Sequence, residues 1–205
     1  MEIAPNGYSV EVGQKSNNIY LIKGRYAVFF DSGFDTDESV SAAQNMWKTA
    51  GKPEVRAIVI SHRHSDHSGG AQRLSEEVGG IIVCASAEKS PIEREVPGIQ
   101  IGRTVADGET MDLGSIMLKF ISTPGHTDGS LSAIYAQEGV LFAGDTIRTS
   151  DPFKIDPKAG DLEMQFDTLL KLQTFNLKVI CPGHGPSVCV PITYIEKELA
   201  RLEVG

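Results

Sequence analysis

Residues 61–70 read S-H-R-H-S-D-H-S-G-G and put His62, His64, Asp66 and His67 within six positions. The run Ala57-Ile58-Val59-Ile60 ahead of them is apolar enough for a buried strand, and Ala71-Gln72-Arg73-Leu74 behind Gly69-Gly70 can turn into a helix. The histidines therefore stand where a buried strand gives way to a loop, a common place for ligand sites in α/β architectures. Imidazole and carboxylate are the nitrogen and oxygen donors that zinc and related divalent cations accept. His62 and His64 are two apart, so extended backbone sends both side chains from one face. Asp66 and His67 are adjacent and need a turn or a helix start to aim at one point. One segment thus offers two donor pairs in different directions, which suits two neighbouring ions better than one.

The chain has five histidines, so only two lie elsewhere: His126 in S-T-P-G-H-T-D-G-S and His184 in C-P-G-H-G-P. Each follows an apolar, strand-like run and a Pro-Gly pair. With every imidazole set in a strand-end loop, the pattern points to metal ligation rather than to scattered structural histidines.

The motifs H-R-H-S-D-H, P-G-H-T-D-G-S, A-G-D-T and P-G-H-G-P, taken in this order, resemble the metallo-β-lactamase superfamily in its hydrolase branch, that of glyoxalase II and the lactonases. The resemblance runs from Asp31 to His184. It implies an α/β fold, a four-layer αβ/βα sandwich of two mixed β-sheets with helices outside and metals at one edge. It also implies two divalent ions, zinc foremost, with iron or manganese as alternatives. His62, His64 and His126 would hold one ion, Asp66, His67 and His184 the other, and Asp145 would bridge them. The resemblance further implies hydrolysis of an ester, thioester or lactone by a hydroxide on the metal pair, with promiscuous β-lactam cleavage alongside. Asp66 would be the catalytic proton shuttle. The rival on the same fold is a mononuclear-iron, persulfide dioxygenase-like oxidoreductase. That family's arginine-rich run after the aspartate is missing here, and its last motif differs from P-G-H-G-P. Asp31, in D-S-G, either caps a turn or holds a ligand histidine from behind, and the resemblance favours the second role.

Composition sets the outer limits. The chain has 205 residues, 40% hydrophobic and 22% charged, as in an ordinary globular protein, and nothing in residues 1–205 reads as an interdomain linker, so one domain is expected. The formal charge of −8, from 19 basic against 27 acidic residues, argues against a nucleic-acid partner. It leaves room for a small, anionic substrate, because metal ions carry their own positive charge, and for a homodimer. The N-terminal M-E-I-A-P-N-G-Y-S-V lacks a signal peptide's basic start and apolar centre. No stretch approaches membrane-spanning length, so no membrane partner and a cytoplasmic location are expected. Three cysteines without C-x-x-C spacing describe no disulfide framework, and Cys84 and Cys181 read as small buried residues.

Strands are expected at residues 8–12, 19–22, 26–30, 81–84, 110–113, 116–121, 131–135, 140–143 and 178–181. Helices are expected at 36–50, 71–78, 162–175 and 193–202, with a further helix starting at 86–90. Residues 90–103, with two prolines and mixed charge, read as irregular: a loop over the site or a plain connector. Residues 146–161 are too proline-rich for a long helix and start beside Asp145. There Arg148 or Lys154 could bind a substrate anion and Phe153 could form an apolar wall, or the segment is a solvated loop.

Overall fold

Alternating side chains decide the layers of this protein, seen in a computed structural model that describes residues 2–4, 7–13, 17–150 and 155–203. The first half contains β1 (Glu2–Ala4), β2 (Gly7–Val12), β3 (Asn17–Lys23), β4 (Ala27–Phe30), α1 (Asp37–Thr49), β5 (Val55–Val59), α2 (Ser65–Ser68), α3 (Ala71–Val78), β6 (Ile81–Ala85), α4 (Ser86–Glu95) and β7 (Ile101–Val105). The second half contains β8 (Thr110–Asp112), β9 (Met117–Ser122), β10 (Leu131–Tyr135), β11 (Val140–Arg148), α5 (Leu162–Gln173), β12 (Val179–His184) and α6 (Pro191–Glu203).

In β4, Val28 and Phe30 point one way and Ala27 and Phe29 the other, as a period of two requires. Val28 and Phe30 join Tyr20, Ala57, Val59 and Val83 in a cluster completed from the second half by Leu118, Phe120, Ala133, Val140, Phe142 and Cys181. The opposite face, with Ala27, Phe29, Ile58, Ile60 and Ile82, packs on Ala43 and Met46 of α1, Leu74 of α3 and Ile92 of α4. Ile134, Leu141 and Ile180 on the far side of the second half pack on Leu169 and Leu172 of α5 and Ile195 and Leu199 of α6. The layers therefore run helix, sheet, sheet, helix, the expected αβ/βα sandwich.

Hydrogen bonding is continuous where two separate sheets were expected. The path runs β7-β6-β5-β4-β3-β12-β11-β10-β9-β8, with β2 also on β3 and β1 on β2. Pairs β4–β5, β5–β6, β6–β7 and β11–β12 are parallel; the others are antiparallel. The halves meet at one paired position, Asn17 opposite His184. One contact at the seam keeps the ladder unbroken while leaving each half free to turn its inner face to the other.

The expected helix at 71–78 and strand at 131–135 match α3 and β10. The expected irregular segment 90–103 does not exist as such: α4 continues to Glu95 through Pro91, and β7 follows. An interior proline removes one helical hydrogen bond, and burial of Glu88 and Ile92, four apart on one face, holds α4 together in spite of it. β7 escaped notice because it is the outermost strand, largely uncovered, without a clear apolar run. β11 likewise runs past Ala143 to Arg148, so Asp145 lies within a strand rather than after one. Gly144, at φ 49°, shifts the register against β12 instead of ending the pairing.

Phe142 is buried between the sheets, edge-on to Tyr20 with ring centroids 5.4 Å apart. Phe142→Ala should lower stability by about 3–5 kcal/mol in urea unfolding, through lost burial and a cavity between the layers.

Candidate metal centre

The segment after β5 leaves the sheet extended and then turns. His64 is the N-cap residue of α2, with φ −61° and ψ 140°, and Asp66 and His67 lie within that short helix. His62 and His64 thus project from the backbone ahead of the helix while Asp66 and His67 project from helical backbone, the change of direction that adjacent donors need. Asp31, after β4, is a left-handed residue at φ 62°, a conformation aspartate tolerates better than most. Its Oδ1 accepts from Ser61 N (2.8 Å), and its Oδ2 accepts from Ser61 Oγ (2.9 Å) and His67 Nδ1 (2.8 Å). Of its two readings, Asp31 takes the one behind a histidine.

These contacts fix the tautomers. His67 gives its Nδ1 proton to Asp31 and turns Nε2 inward. His62 Nδ1 lies 2.9 Å from Ser61 Oγ, and its Nε2 also faces inward. That Nε2 is 2.9 Å from His64 Nδ1, and His126 Nε2 is 3.1 Å from the same atom. His67 Nε2 is 3.2 Å from His184 Nε2, which is 3.5 Å from Asp66 Oδ2. Asp145 reaches both sets: Oδ1 is 3.3 Å and 3.4 Å from His67 Nε2 and His184 Nε2, and Oδ2 is 3.5 Å from His126 Nε2. Two groups result, His62, His64, His126 and Asp145, and Asp66, His67 and His184, with donor atoms in each within 4.8 Å of one another.

The donor set fits divalent ions. Atoms about 2.0–2.1 Å from a tetrahedral ion lie about 3.3–3.4 Å apart, close to the spacings here. Nitrogens turned toward nitrogens, with lone pairs inward, make poor hydrogen bonds but good ligands. Asp145 Oδ1 is buried and makes no well-formed hydrogen bond, although two imidazoles face it.

Burial and neighbouring charge pull in opposite directions across the centre. Burial, then His67 alongside, pushes the His62 pKa well below that of a free imidazole. For His67 burial acts downward too, but Asp145 and Asp31 outweigh it and raise the pKa well above the usual value. Burial would raise Asp145, yet His67 and His184 hold it well below the ordinary carboxylate range. Asp66 is lowered as well: burial opposes the change, and His67 and His184 drive it.

The two P-G-H segments, one in the loop after β9 and one at the end of β12, place the last two histidines. Asn18 Nδ2 donates to the carbonyls of Pro182 (3.0 Å) and Gly185 (2.8 Å), and Tyr20 OH donates to Pro182 O (2.7 Å). A Cβ on Gly183 would collide with Asp145 Oδ1, so only glycine admits the carboxylate so close to the strand end. Beside His126, Thr127 Oγ1 donates to Glu88 Oε1 (2.7 Å). Glu88 is fully buried and accepts from Arg63 Nε (2.9 Å) and Nη2 (3.0 Å). One carboxylate on α4 thus ties the H-R-H segment to the His126 loop.

A cavity of about 700 Å³ opens over the centre, within the usual range for small-molecule sites. His64, Asp66, His126 and Asp145 form its floor, Pro91, Arg94 and Glu95 of α4 one wall, and Ile155, Asp156, Pro157 and Lys158 another. Arg148 also lines it, but its guanidinium is engaged with Asp145 Oδ2 rather than extended toward a substrate. Phe153 and Lys154 lie outside the described residues. The sequence reading missed Asp156, whose Oδ2 is 2.5 Å from His64 Nε2, and also Glu88, Asn17 and Asn18. Asp156 is 92 positions from His64, and no local pattern in the letters links the two.

Comparison with known proteins gives a consistent family. The profile of the metallo-beta-lactamase superfamily matches residues 12–184. The chain is 28% identical over 197 residues to the beta-lactamase-like protein 2 homolog of Caenorhabditis elegans, covering 92% of this chain and 63% of that protein. It is 30% identical over 123 residues to a hydroxyacylglutathione hydrolase of Francisella philomiragia subsp. philomiragia, covering 60% of this chain and 46% of that one. The chain therefore spans less than two thirds of the length of these curated relatives. Among solved structures, a metallo-beta-lactamase from Pontibacter korlensis matches with a TM-score of 0.83 at 19% identity, over 100% of this chain and 98% of that one. A metallo-beta-lactamase family protein from Thermus thermophilus matches with a TM-score of 0.82 at 21% identity, over 98% and 81%. At such identities the likeness is one of fold.

Glu88→Ala leaves Arg63 and Thr127 without their buried acceptor. It should cost about 3 kcal/mol in thermal or urea unfolding. A loss below about 0.5 kcal/mol, the level of an ordinary surface change, would show that α4 does not tie the two loops together.

Proposed function

Because the chain belongs to the metallo-beta-lactamase superfamily, we propose that it is a metal-dependent hydrolase, with two zinc ions, acting on a thioester, ester or lactone. The observation that carries the proposal is Asp145, a buried carboxylate whose two oxygens face two separate donor groups. His62, His64 and His126 would hold one ion and Asp66, His67 and His184 the other, with Asp145 between them. The likeness to hydroxyacylglutathione hydrolases supports acyl transfer to water and puts thioesters first among the substrates. When bound, such ions supply Lewis acidity and lower the pKa of a coordinated water toward neutrality.

The remaining work falls to this chain's own side chains. Asp31 holds His67 directly, and His62 through Ser61, so both rings keep their inward tautomers without reorganising. Asp66 lies on the cavity floor with its pKa lowered, so it is anionic at neutral pH and a weak base, which suits it to relay a proton in passing rather than to hold one. The walls of α4 and residues 155–159 orient the acyl group above the floor and limit the water that reaches it. No helix among the described residues is long and apolar enough to cross a membrane.

Purified protein titrated with Zn²⁺ should take up two equivalents per chain and hydrolyse at least one of a thioester, an aryl ester and a lactone. Chelation should abolish turnover and Zn²⁺ should restore it. Asp66→Asn should lower kcat by about 100-fold or more. Turnover that survives complete chelation, or a single iron per chain with oxygen uptake on a persulfide, would sink the proposal.

A further inference from the structure

Two donors of the first group come from loops far apart in sequence, His64 after β5 and His126 after β9, and residues 155–161 touch both. Asp156 N donates to His126 O (3.0 Å), and Asp161 N donates to Gly125 O (2.8 Å). Asp156 divides its carboxylate between two tasks. Oδ1 accepts from Lys158 N (2.6 Å) and Ala159 N (3.0 Å), which closes the turn, and Gly160 N returns to Asp156 O (2.8 Å). Oδ2 is 2.5 Å from His64 Nε2.

His64 needs such a partner more than its companions do. Its side chain is 32% exposed, whereas those of His62, His67, His126 and His184 are buried. Packing alone therefore does not fix its ring. With Nδ1 turned to His62 and His126, the proton must sit on Nε2, where Asp156 accepts it. A carboxylate on the rear nitrogen also makes the front nitrogen a stronger donor.

We infer that Asp156 is a positioning residue for the first donor group: it sets the tautomer and orientation of His64 while its backbone holds the His126 loop. The inference rests on the reading that these groups hold metal. It assigns to the 155–161 turn a share in metal affinity as well as in the cavity wall. The turn's three hydrogen bonds to the loops of the centre all run to the first group, so its effect falls there.

The test is Asp156→Asn, with Asp156→Ser as a second variant. Asn can still serve either the turn or His64 with its one carbonyl oxygen, but its amide then presents a donor to the other. Ser can close the turn and cannot reach the ring. Zn²⁺ titration against a chromophoric chelator should show one of two sites weakened about 10- to 100-fold and the other unchanged. The d–d spectrum of the Co²⁺-loaded protein should change with it, and the metal-free melting temperature should stay within about 3 °C of the parent. Two unchanged zinc affinities in both variants would overturn the inference while leaving the hydrolase proposal standing. So would equal weakening of both sites together with a collapse of metal-free stability. A parent chain that binds no zinc would overturn both.

Discussion

Seven donor side chains crowd into one place with their lone pairs turned inward, and four of the five imidazoles there are buried. Nothing in a folded chain gains from such an arrangement by itself. Burial penalises every charged form, and facing nitrogens cannot all be donor and acceptor at once. The conflict shows in the pKa directions: His62 is forced down, while His67, beside two carboxylates, is forced up. A dication resolves the conflict, because it takes lone pairs from every side and supplies the charge the carboxylates lack. The rest of the fold is the apparatus that holds those donors in register for it.

That apparatus is concentrated at the seam between the two halves. Asn17 and His184 form the one paired position joining β3 to β12, and Asn17 Nδ2 also donates to Asp66 O (2.6 Å). Asn18 and Tyr20 on the same strand hold the carbonyls around Gly183. Asn17, Asn18 and Tyr20 of β3 thus serve the centre, while Ile19, Leu21 and Ile22 fill the cores on either side. Asp31 does similar service at the end of β4. This one left-handed residue receives Ser61 and His67 together and locks the loop after β5 to the strand beside it. Backbone strain of this kind persists only where surrounding contacts offset it.

The letters revealed the donors and concealed their supports, for a physical reason. Histidine is scarce in this chain, and H-R-H-S-D-H and the two P-G-H motifs are local, so each can be read within a few residues. The layers were legible too, since Ala27 to Phe30 and Ala57 to Ile60 are long enough apolar runs to announce buried strands. Asp156, Glu88 and Asn18 act across 92, 25 and 164 positions, and aspartate, glutamate and asparagine are common surface residues. Only the folded chain distinguishes them from solvated ones. The length of α4 was hidden for a different reason. Pro91 and a run of charges mask a helix whose stability comes from burying Glu88 and Ile92, a tertiary effect.

The same supports explain how the centre can be both rigid and accessible. His64, Asp66, His126 and Asp145 line the cavity, whereas His62, His67 and His184 lie behind them. The hidden donors are held by the sheet framework itself, through strand ends, Asp31 and Ser61. His64 and His126 are held by α4 and the 155–161 turn, through Glu88 and Asp156, and those two elements also wall the cavity. Elements that wall the cavity thus share contacts with the donors at its floor. Changes in the walls that alter which substrate fits would be transmitted to His64 and His126 before they reached His67 or His184. On the proposed reading, specificity and metal affinity would therefore be coupled on one side of the centre and insulated on the other.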